Sequence, residues 1–340
     1  MFFSFELIKH PNIRYRKSLD RLALSELQSM LEAIGVRCEI EIRALGNASF
    51  LCFESRALSD RELRWLSGHS SVSLMAEQPE DGLLRPLPVL RRGALEEDLA
   101  ELLKYKGKTG VPYTKRILNM SRALLALSAE TFPPGSLLVA DPLCGKGTSL
   151  FCALEYGDQA LGLDADRGAI REAQTYFKKY LEFHRLKHKV SLRSETAGRQ
   201  SLPVWECSFL PAGGEGDQPS PGCLTLAAED TALLPVLTRK RKADLLFADL
   251  PYGIQHAPRA GGKTESFRRL LLRALPAWSK AMQPGGVLAL SYNTLTLKTS
   301  EVSECLTESG FSVVSDGPWQ SLPHEVEQAV LRDQIFALNR

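Results

Sequence analysis

The sequence predicts an α/β chain, with a doubly wound, mainly parallel sheet over residues 95–340 and a small α+β unit over residues 1–88 in front of it. Three observations predict this. First, the apolar run Ser136-Leu137-Leu138-Val139-Ala140 feeds Asp141-Pro142-Leu143-Cys144-Gly145-Lys146-Gly147-Thr148. A helical pattern over residues 149–156 and a second apolar run, Ala160-Leu161-Gly162-Leu163, follow and end in Asp164-Ala165-Asp166. Strand, glycine loop, helix, strand, acid is the repeating unit of an open sheet that holds its ligand outside the carboxyl ends of the strands. Second, the apolar run 243–248 ends in Asp249-Leu250-Pro251-Tyr252-Gly253. Third, residues 286–292 read as a fifth strand, and residues 311–315 and 334–338 as an antiparallel pair that closes the sheet.

The remaining elements follow in chain order. In the front unit, residues 25–34 and 60–66 read as helices and residues 36–44 and 48–54 as strands. Pro79-Glu80-Asp81-Gly82 and Pro86-Leu87-Pro88 mark its end. Residues 104–126 pass from a basic, glycine-containing loop into a helix, and a plain surface loop with a helix start at Thr114 is the structural alternative to a functional segment here. A helix then ends near His188, and about forty residues precede Asp230. Residues 190–193 and 204–209 predict an inserted hairpin there, and residues 211–221, rich in Gly and Pro, a loop. Residues 265–282 read as the helix before the fifth strand.

Composition limits the function. With 340 residues, 44% hydrophobic and 24% charged, the chain can bury two ordinary cores. The opening Met1-Phe2-Phe3-Ser4-Phe5-Glu6 meets charge too early for a signal peptide, and no apolar run approaches the roughly 20 residues of a membrane span. Seven cysteines occur without a Cys-x-x-Cys pair, so neither a metal site nor a disulfide framework is expected, and a cytoplasmic setting is the simplest assignment. A net charge of +2 argues against indiscriminate coating of nucleic acid. The basic residues are nevertheless clustered: Lys104, Lys106, Lys108, Lys115 and Arg116 around Pro112-Tyr113, Lys178 to Lys189 along a helix end, and Arg239 to Lys242. Each cluster could take phosphates, although a solvated helix end and a charged turn are ordinary structural readings of the last two.

The glycine loop discriminates among nucleotide-type ligands. A phosphate loop needs a glycine five residues before the Gly145-Lys146 pair, where Ala140 stands, and a dinucleotide fold needs a third glycine where Leu150 stands. At the other motif, the step into Pro251 keeps Leu250 extended. An exocyclic NH2 could then donate to the Asp249 carboxylate and the Leu250 carbonyl while the Tyr252 ring stacks on a base. A strand that ends in an acid and a proline turn also occurs for structural reasons alone.

Together, Asp141 four residues before Gly145, the acidic strand end at Asp164 and the motif at 249–253 resemble the class I S-adenosylmethionine-dependent exocyclic-amine methyltransferases. Within them the chain is most similar to the THUMP-associated tRNA guanosine-N2 methyltransferases. The likeness covers residues 95–340 and implies a Rossmann-like sheet with S-adenosyl-L-methionine as cofactor. It implies that Asp141, Leu143, Cys144, Gly145, Gly147 and Thr148 form the cofactor loop, that Asp164 and Ala165 lie at the ribose, and that Asp230 and Thr231 lie at the adenine, with Glu229 as the alternative to Asp230. Tyr113 and Thr114 would close over the cofactor, and Asp249, Leu250, Pro251 and Tyr252 would hold the target amine. RNA, with tRNA foremost, is the implied partner, and a small activating protein subunit is a second. The front unit resembles the ferredoxin-like segment that precedes a THUMP domain, but the chain departs from the family in having no room for a complete one. N6-adenine methylation of DNA or rRNA, and a non-catalytic RNA-binding or partner-binding role, are the alternatives.

Overall fold

In the computed structural model the described residues are 1–10, 12–79, 83–88, 95–131, 136–210, 221–251, 259–260, 263–264, 266–327 and 330–340. The front unit contains β1 (Phe2–Leu7), α1 (Ile13–Glu32), β2 (Ile40–Leu45), β3 (Ala48–Glu54), α2 (Asp60–Leu66), β4 (Val72–Gln78) and β5 (Arg85–Pro86). Its antiparallel sheet has the order β2-β3-β1-β4-β5. Two differences from the sequence reading stand out. Helix α1 begins twelve residues earlier than expected because Asn12 caps it, accepting from the amides of Arg14 at 2.9 Å and Tyr15 at 3.3 Å. The opening Phe2-Phe3-Ser4-Phe5, weighed in the sequence only as a targeting segment, is the central strand of this sheet.

The rest of the chain comprises α3 (Leu99–Leu102), α4 (Val111–Ser128), β6 (Leu138–Asp141), α5 (Thr148–Glu155), β7 (Gln159–Leu163), α6 (Arg167–Phe183), β8 (His188–Ala197), β9 (Gln200–Phe209), β10 (Gly222–Ala227), α7 (Leu234–Leu237), β11 (Ala243–Asp249), β12 (Arg259–Ala260), β13 (Lys263–Thr264), α8 (Phe267–Ala281), β14 (Met282–Asn293), α9 (Thr299–Glu308), β15 (Phe311–Val314), β16 (His324–Glu327) and β17 (Val330–Asn339). The large sheet has the order β15-β17-β14-β11-β6-β7-β10-β9-β8, with β16 paired to β17. Strands β10, β7, β6, β11 and β14 are mutually parallel, and β17 runs antiparallel between β14 and β15. This is the Rossmann-like α/β sheet that the apolar runs predict. The expected hairpin is β8–β9, and it extends the sheet by pairing antiparallel with β10.

Both faces of the sheet are covered, which explains why its strands are continuously apolar rather than alternating. In β11, Leu245 and Phe247 enter the apolar cluster on the α4 and α5 side, whereas Leu246 and Ala248 enter the cluster on the α8 and α9 side. The first cluster also takes in Phe5, Leu22 and Leu27 of the front unit. Polar contacts join the same surfaces: Arg116 of α4, 1% exposed, donates to the Leu22 carbonyl at 3.1 Å and to Ser25 Oγ at 3.2 Å. Asn119 donates to Glu26 at 2.6 Å and to the Gly68 carbonyl at 2.7 Å.

Candidate active site

The strand order reverses at β6: β7 and β10 lie on one side of it, β11 and β14 on the other. In open α/β sheets the crevice outside the carboxyl ends at such a reversal receives the ligand. Four neighbouring strands deliver acids to this edge. Asp141 ends β6, Asp249 ends β11, Asp164 immediately follows β7, and Asp230 stands three residues beyond β10.

The glycine loop between β6 and α5 is held from both sides. Asp141 is 3% exposed; Oδ1 accepts from the Leu143 amide at 2.9 Å and Oδ2 accepts the Ser149 hydroxyl. Burial, helped by the nearby charges of Asp249 and Asp164, pushes its carboxyl up to about 7 against those two hydrogen bonds. Gly145 and Gly147 adopt φ of +51° and +89°, and open space surrounds the point where a Cβ on Gly145 would sit. The Gly145 amide donates to Asp164 Oδ2 at 2.8 Å, and the Cys144 amide to the Leu163 carbonyl at 2.9 Å. Cys144 is buried, and Thr148 opens α5 directly after the turn. The glycine missing at Leu150 has a counterpart on the neighbouring strand. A Cβ on Gly162 would fall 2.4 Å from Leu150 Cδ1 and 2.8 Å from Cys144 Sγ, so close helix-to-strand packing is achieved by emptying position 162 instead.

Asp164 also accepts from the Asp166 amide at 2.8 Å, and burial raises its carboxyl above the ordinary range. The Asp166 side chain is engaged elsewhere, capping α6 through the amides of Gly168 at 2.7 Å and Ala169 at 3.2 Å. This separates the two acids that the sequence leaves close together: Asp164 braces the loop, and Asp166 starts a helix. Ala165 between them is exposed. Asp230 Oδ1 accepts from the Ala232 amide at 2.8 Å and from Arg273 at 2.5 Å. Thr231 is buried, and its Oγ1 accepts from Trp278 Nε1 at 3.0 Å. Glu229 accepts from Gln200 of the inserted hairpin at 3.3 Å.

On the β11 side, Asp249 is paired with Ser291 in the sheet register and the Leu250 amide donates to the Ser291 carbonyl at 2.8 Å. Pro251 has no N–H to continue the ladder, so the chain leaves the sheet there. Leu250 is buried and Pro251 half-buried. Tyr252, Gly253 and His256 lie outside the described residues. Asp249 Oδ2 accepts a short hydrogen bond from the hydroxyl of Thr109, a residue in the basic loop. From the same loop the Tyr105 hydroxyl meets Thr148 Oγ1 at 2.8 Å. The segment therefore touches both motifs, but through Tyr105 and Thr109. Helix α4 begins at Val111 rather than Thr114, with Pro112 in its first turn. Tyr113 and Thr114 consequently face the core, at 2% and 1% exposure. Tyr113 donates to Ser291 Oγ at 3.3 Å, and Thr114 Oγ1 to the Gly110 carbonyl at 3.2 Å. Sequence reasoning missed Tyr105, Thr109, Ser149 and Ser291; the Lys-Thr-Gly run ahead of the helix was the only local signal for Thr109.

The basic clusters also divide. Lys115 and Arg116 are withdrawn from the surface, Lys115 into an ion pair with Glu155 at 2.9 Å. Lys178 pairs with Glu182 at 3.5 Å and Arg241 with Asp244 at 3.5 Å, the ordinary roles of a helix surface and a charged turn. Lys104 and Lys106 remain exposed. Among the described residues no group of three or more His, Cys, Asp or Glu is placed to hold a metal ion, and no helix is long and apolar enough to cross a membrane.

No protein-family model and no curated relative matches the chain. Solved structures do match. TrmN from Thermus thermophilus is 17% identical, with 98% of this chain and 70% of that chain covered and a TM-score of 0.41. A SAM-dependent methyltransferase from Agrobacterium tumefaciens is 14% identical over 66% of this chain and 62% of that one, TM-score 0.40. Magnesium protoporphyrin IX methyltransferase (ChlM) from Synechocystis PCC 6803, crystallised with bound SAM, is 15% identical over 69% and 87%, TM-score 0.37. These are weak likenesses, and no residue assignment rests on them.

Proposed function

We propose that the chain is an S-adenosylmethionine-dependent methyltransferase that modifies an exocyclic amine of a nucleobase, with N2 of guanosine in tRNA as its target. The observation that carries this reading is the pairing, across one reversal of strand order, of an open glycine loop braced by Asp164 with the strand-terminal Asp249-Leu250-Pro251. The loop suits that cofactor. Open space at Gly145 lets a ligand approach the backbone, and both Asp164 oxygens, each accepting one amide, keep a lone pair for a ribose diol. Asp230 and Thr231 would border the adenine, and the concentration of carboxylates at this edge suits a ligand that carries ammonium and sulfonium charge.

When bound, the cofactor supplies an activated methyl group with its own leaving group. The protein's task is then alignment and exclusion of water. One N–H of the target amine would donate to Asp249, fixed by Thr109, and the other to the Leu250 carbonyl, whose amide is pinned to Ser291. In an aryl amine the nitrogen lone pair is delocalised into the ring. Two such acceptors favour the pyramidal nitrogen and strengthen their hold as positive charge develops on it, which lowers the barrier rather than merely binding the base. Tyr252 would stack on the base, as in the enzymes the motif resembles. The likeness to the THUMP-associated enzymes and the exposed lysines of the loop that holds Asp249 support tRNA as the substrate.

The test is to incubate the purified protein with isotopically labelled S-adenosylmethionine and total tRNA, rRNA or DNA, then identify labelled nucleosides by mass spectrometry. N2-methylguanosine from tRNA is the expected product. Label in adenine would reassign the target base, and cofactor binding without any label would overturn the catalytic reading.

A further inference from the structure

A cavity of about 410 Å³ lies where the front unit meets the segment that enters α4. Its described lining comes from Ile8 and His10 beyond β1 and from residues of the 101–112 segment, with none from the glycine loop. Three sources of positive potential converge on it. Lys104 is exposed at its wall. Lys108 Nζ is held beside it by the carbonyls of Ala100 at 2.5 Å and Glu101 at 3.3 Å. The amino end of the 18-residue helix α4 is the third, for its cap residue Gly110 brings no side chain to the first-turn amides. His10 adds a donor: its Nδ1 accepts from the Asn12 amide at 3.1 Å, which leaves the ring proton on Nε2. Glu101 is the single acid among the described lining residues. Burial lowers the Lys108 ammonium below its ordinary range, a cost that an anion in the cavity would offset.

The cavity is one residue away from the chemistry. Thr109, part of its wall, donates to Asp249, and Tyr105, also part of its wall, contacts Thr148 of the cofactor loop. We propose that this cavity holds a backbone phosphate of the polynucleotide whose base lies at Asp249, with Lys104, Lys108 and the amino end of α4 as the phosphate site. The assignment rests on the methyltransferase reading for its geometry and adds what that reading lacks, a device on this chain that selects a nucleic acid over a free base or a protein amide. Phosphate contacts position the strand, and Thr109 links that positioning to the acid that grips the amine.

The experiment measures two affinities separately across a salt series: that of a fluorescently end-labelled single-stranded RNA of about 20 nucleotides, by anisotropy, and that of S-adenosylhomocysteine, by calorimetry. The variants are Lys104→Glu, whose exposed side chain leaves the fold undisturbed, Lys104→Arg and Lys108→Met. Lys104→Glu and Lys108→Met are expected to weaken RNA about ten-fold at low salt. Lys108→Met should also flatten the slope of log K against log salt by about 0.7, the share of one neutralised phosphate on a single strand. Lys104→Arg should bind RNA like the parent, and S-adenosylhomocysteine affinity should stay within two-fold in all three. Loss of S-adenosylhomocysteine affinity with RNA binding intact would assign the cavity to the cofactor's carboxylate and overturn the phosphate site while leaving the methyltransferase reading in place. Unchanged RNA affinity in both charge-removing variants would overturn it too. Binding of S-adenosylhomocysteine by a parent protein that binds no RNA would remove the substrate class itself.

Discussion

Asp141 and Asp249 end adjacent parallel strands on the two sides of the strand reversal, yet they are built for different work. Asp141 is buried, both of its oxygens are taken by its own loop and helix, and its carboxyl is pushed up to about 7. Asp249 is half-buried and accepts a hydrogen bond from Thr109, 140 residues away in sequence. Two acids in equivalent places on one sheet thus differ in what they tie together: Asp141 holds its own loop and helix, and Asp249 is joined to the segment that enters α4. The contrast predicts that changing Asp249 alters activity, whereas changing Asp141 alters the pH dependence of stability.

The largest effect tests the first half. Asp249→Ala is expected to lower turnover by about a thousand-fold or more, the scale of losing a group that acts in the transition state, with cofactor affinity within a few-fold and the unfolding midpoint unchanged. Near-normal turnover would take the amine-gripping role away from Asp249. The second half has a pH signature. The Asp141 carboxyl has a pKa of 3.8 when exposed and about 7 when folded. The folded chain therefore binds this proton more tightly than the unfolded chain. The stability it contributes is complete below about pH 4 and is lost as pH rises towards 7, at about 1.4 kcal/mol per unit and roughly 4 kcal/mol in all. Asp141→Asn fixes the neutral state, so in urea unfolding the variant should gain on the parent by a few kcal/mol at pH 8 and show little difference at pH 4. A constant difference across that range would show that Asp141 is ionised throughout.

A smaller effect separates Asp164 from Asp166. Asp164→Ala is expected to weaken S-adenosylmethionine binding by about 1–3 kcal/mol, the scale of losing a charge-assisted pair, because it removes the ribose acceptor and frees the Gly145 amide. Asp166→Ala removes only the cap of α6, and should cost about 1 kcal/mol of stability with cofactor affinity unchanged. The reverse pattern, read by calorimetry and thermal unfolding, would exchange the two assignments.

These contrasts also show what could be read in the sequence. Strands β6, β7 and β11 are short apolar runs buried on both faces and each leads into an acid, so their places and their edge of the sheet were legible from residue type alone. The inserted hairpin was legible for the same reason, since β9 buries Val204, Trp205, Cys207 and Phe209. What stayed hidden was long-range. The Thr109 to Asp249 bond, the withdrawal of Lys115 onto Glu155 and of Arg116 onto the front unit, and the trade of a glycine at 150 for one at 162 each depend on packing that no local pattern encodes. The segment before β6 does reach both motifs, but through Tyr105 and Thr109 of the loop, not through Tyr113 and Thr114. Helix α4 starts at Val111 because Pro112 suits its first turn, and that start turns Tyr113 and Thr114 inward.

The smallest effect bears on the link that makes the two acids differ. Thr109→Val keeps the shape of the side chain and deletes the hydroxyl that holds Asp249. If that bond fixes the carboxylate for the incoming amine, kcat should fall about ten-fold, or roughly 1.4 kcal/mol, while cofactor affinity and unfolding midpoint stay at parental values and Thr109→Ser restores the rate. The opposite sign is informative as well. The hydroxyl occupies an oxygen that an amine could use, so a rise in kcat would mean that Thr109 competes with the substrate. In that case the burial around Asp249, rather than its distant partner, would set the direction of the acid. The sign of the change decides between the two, and single-turnover rates measured beside steady-state kcat show that it lies in the methyl-transfer step if both move together.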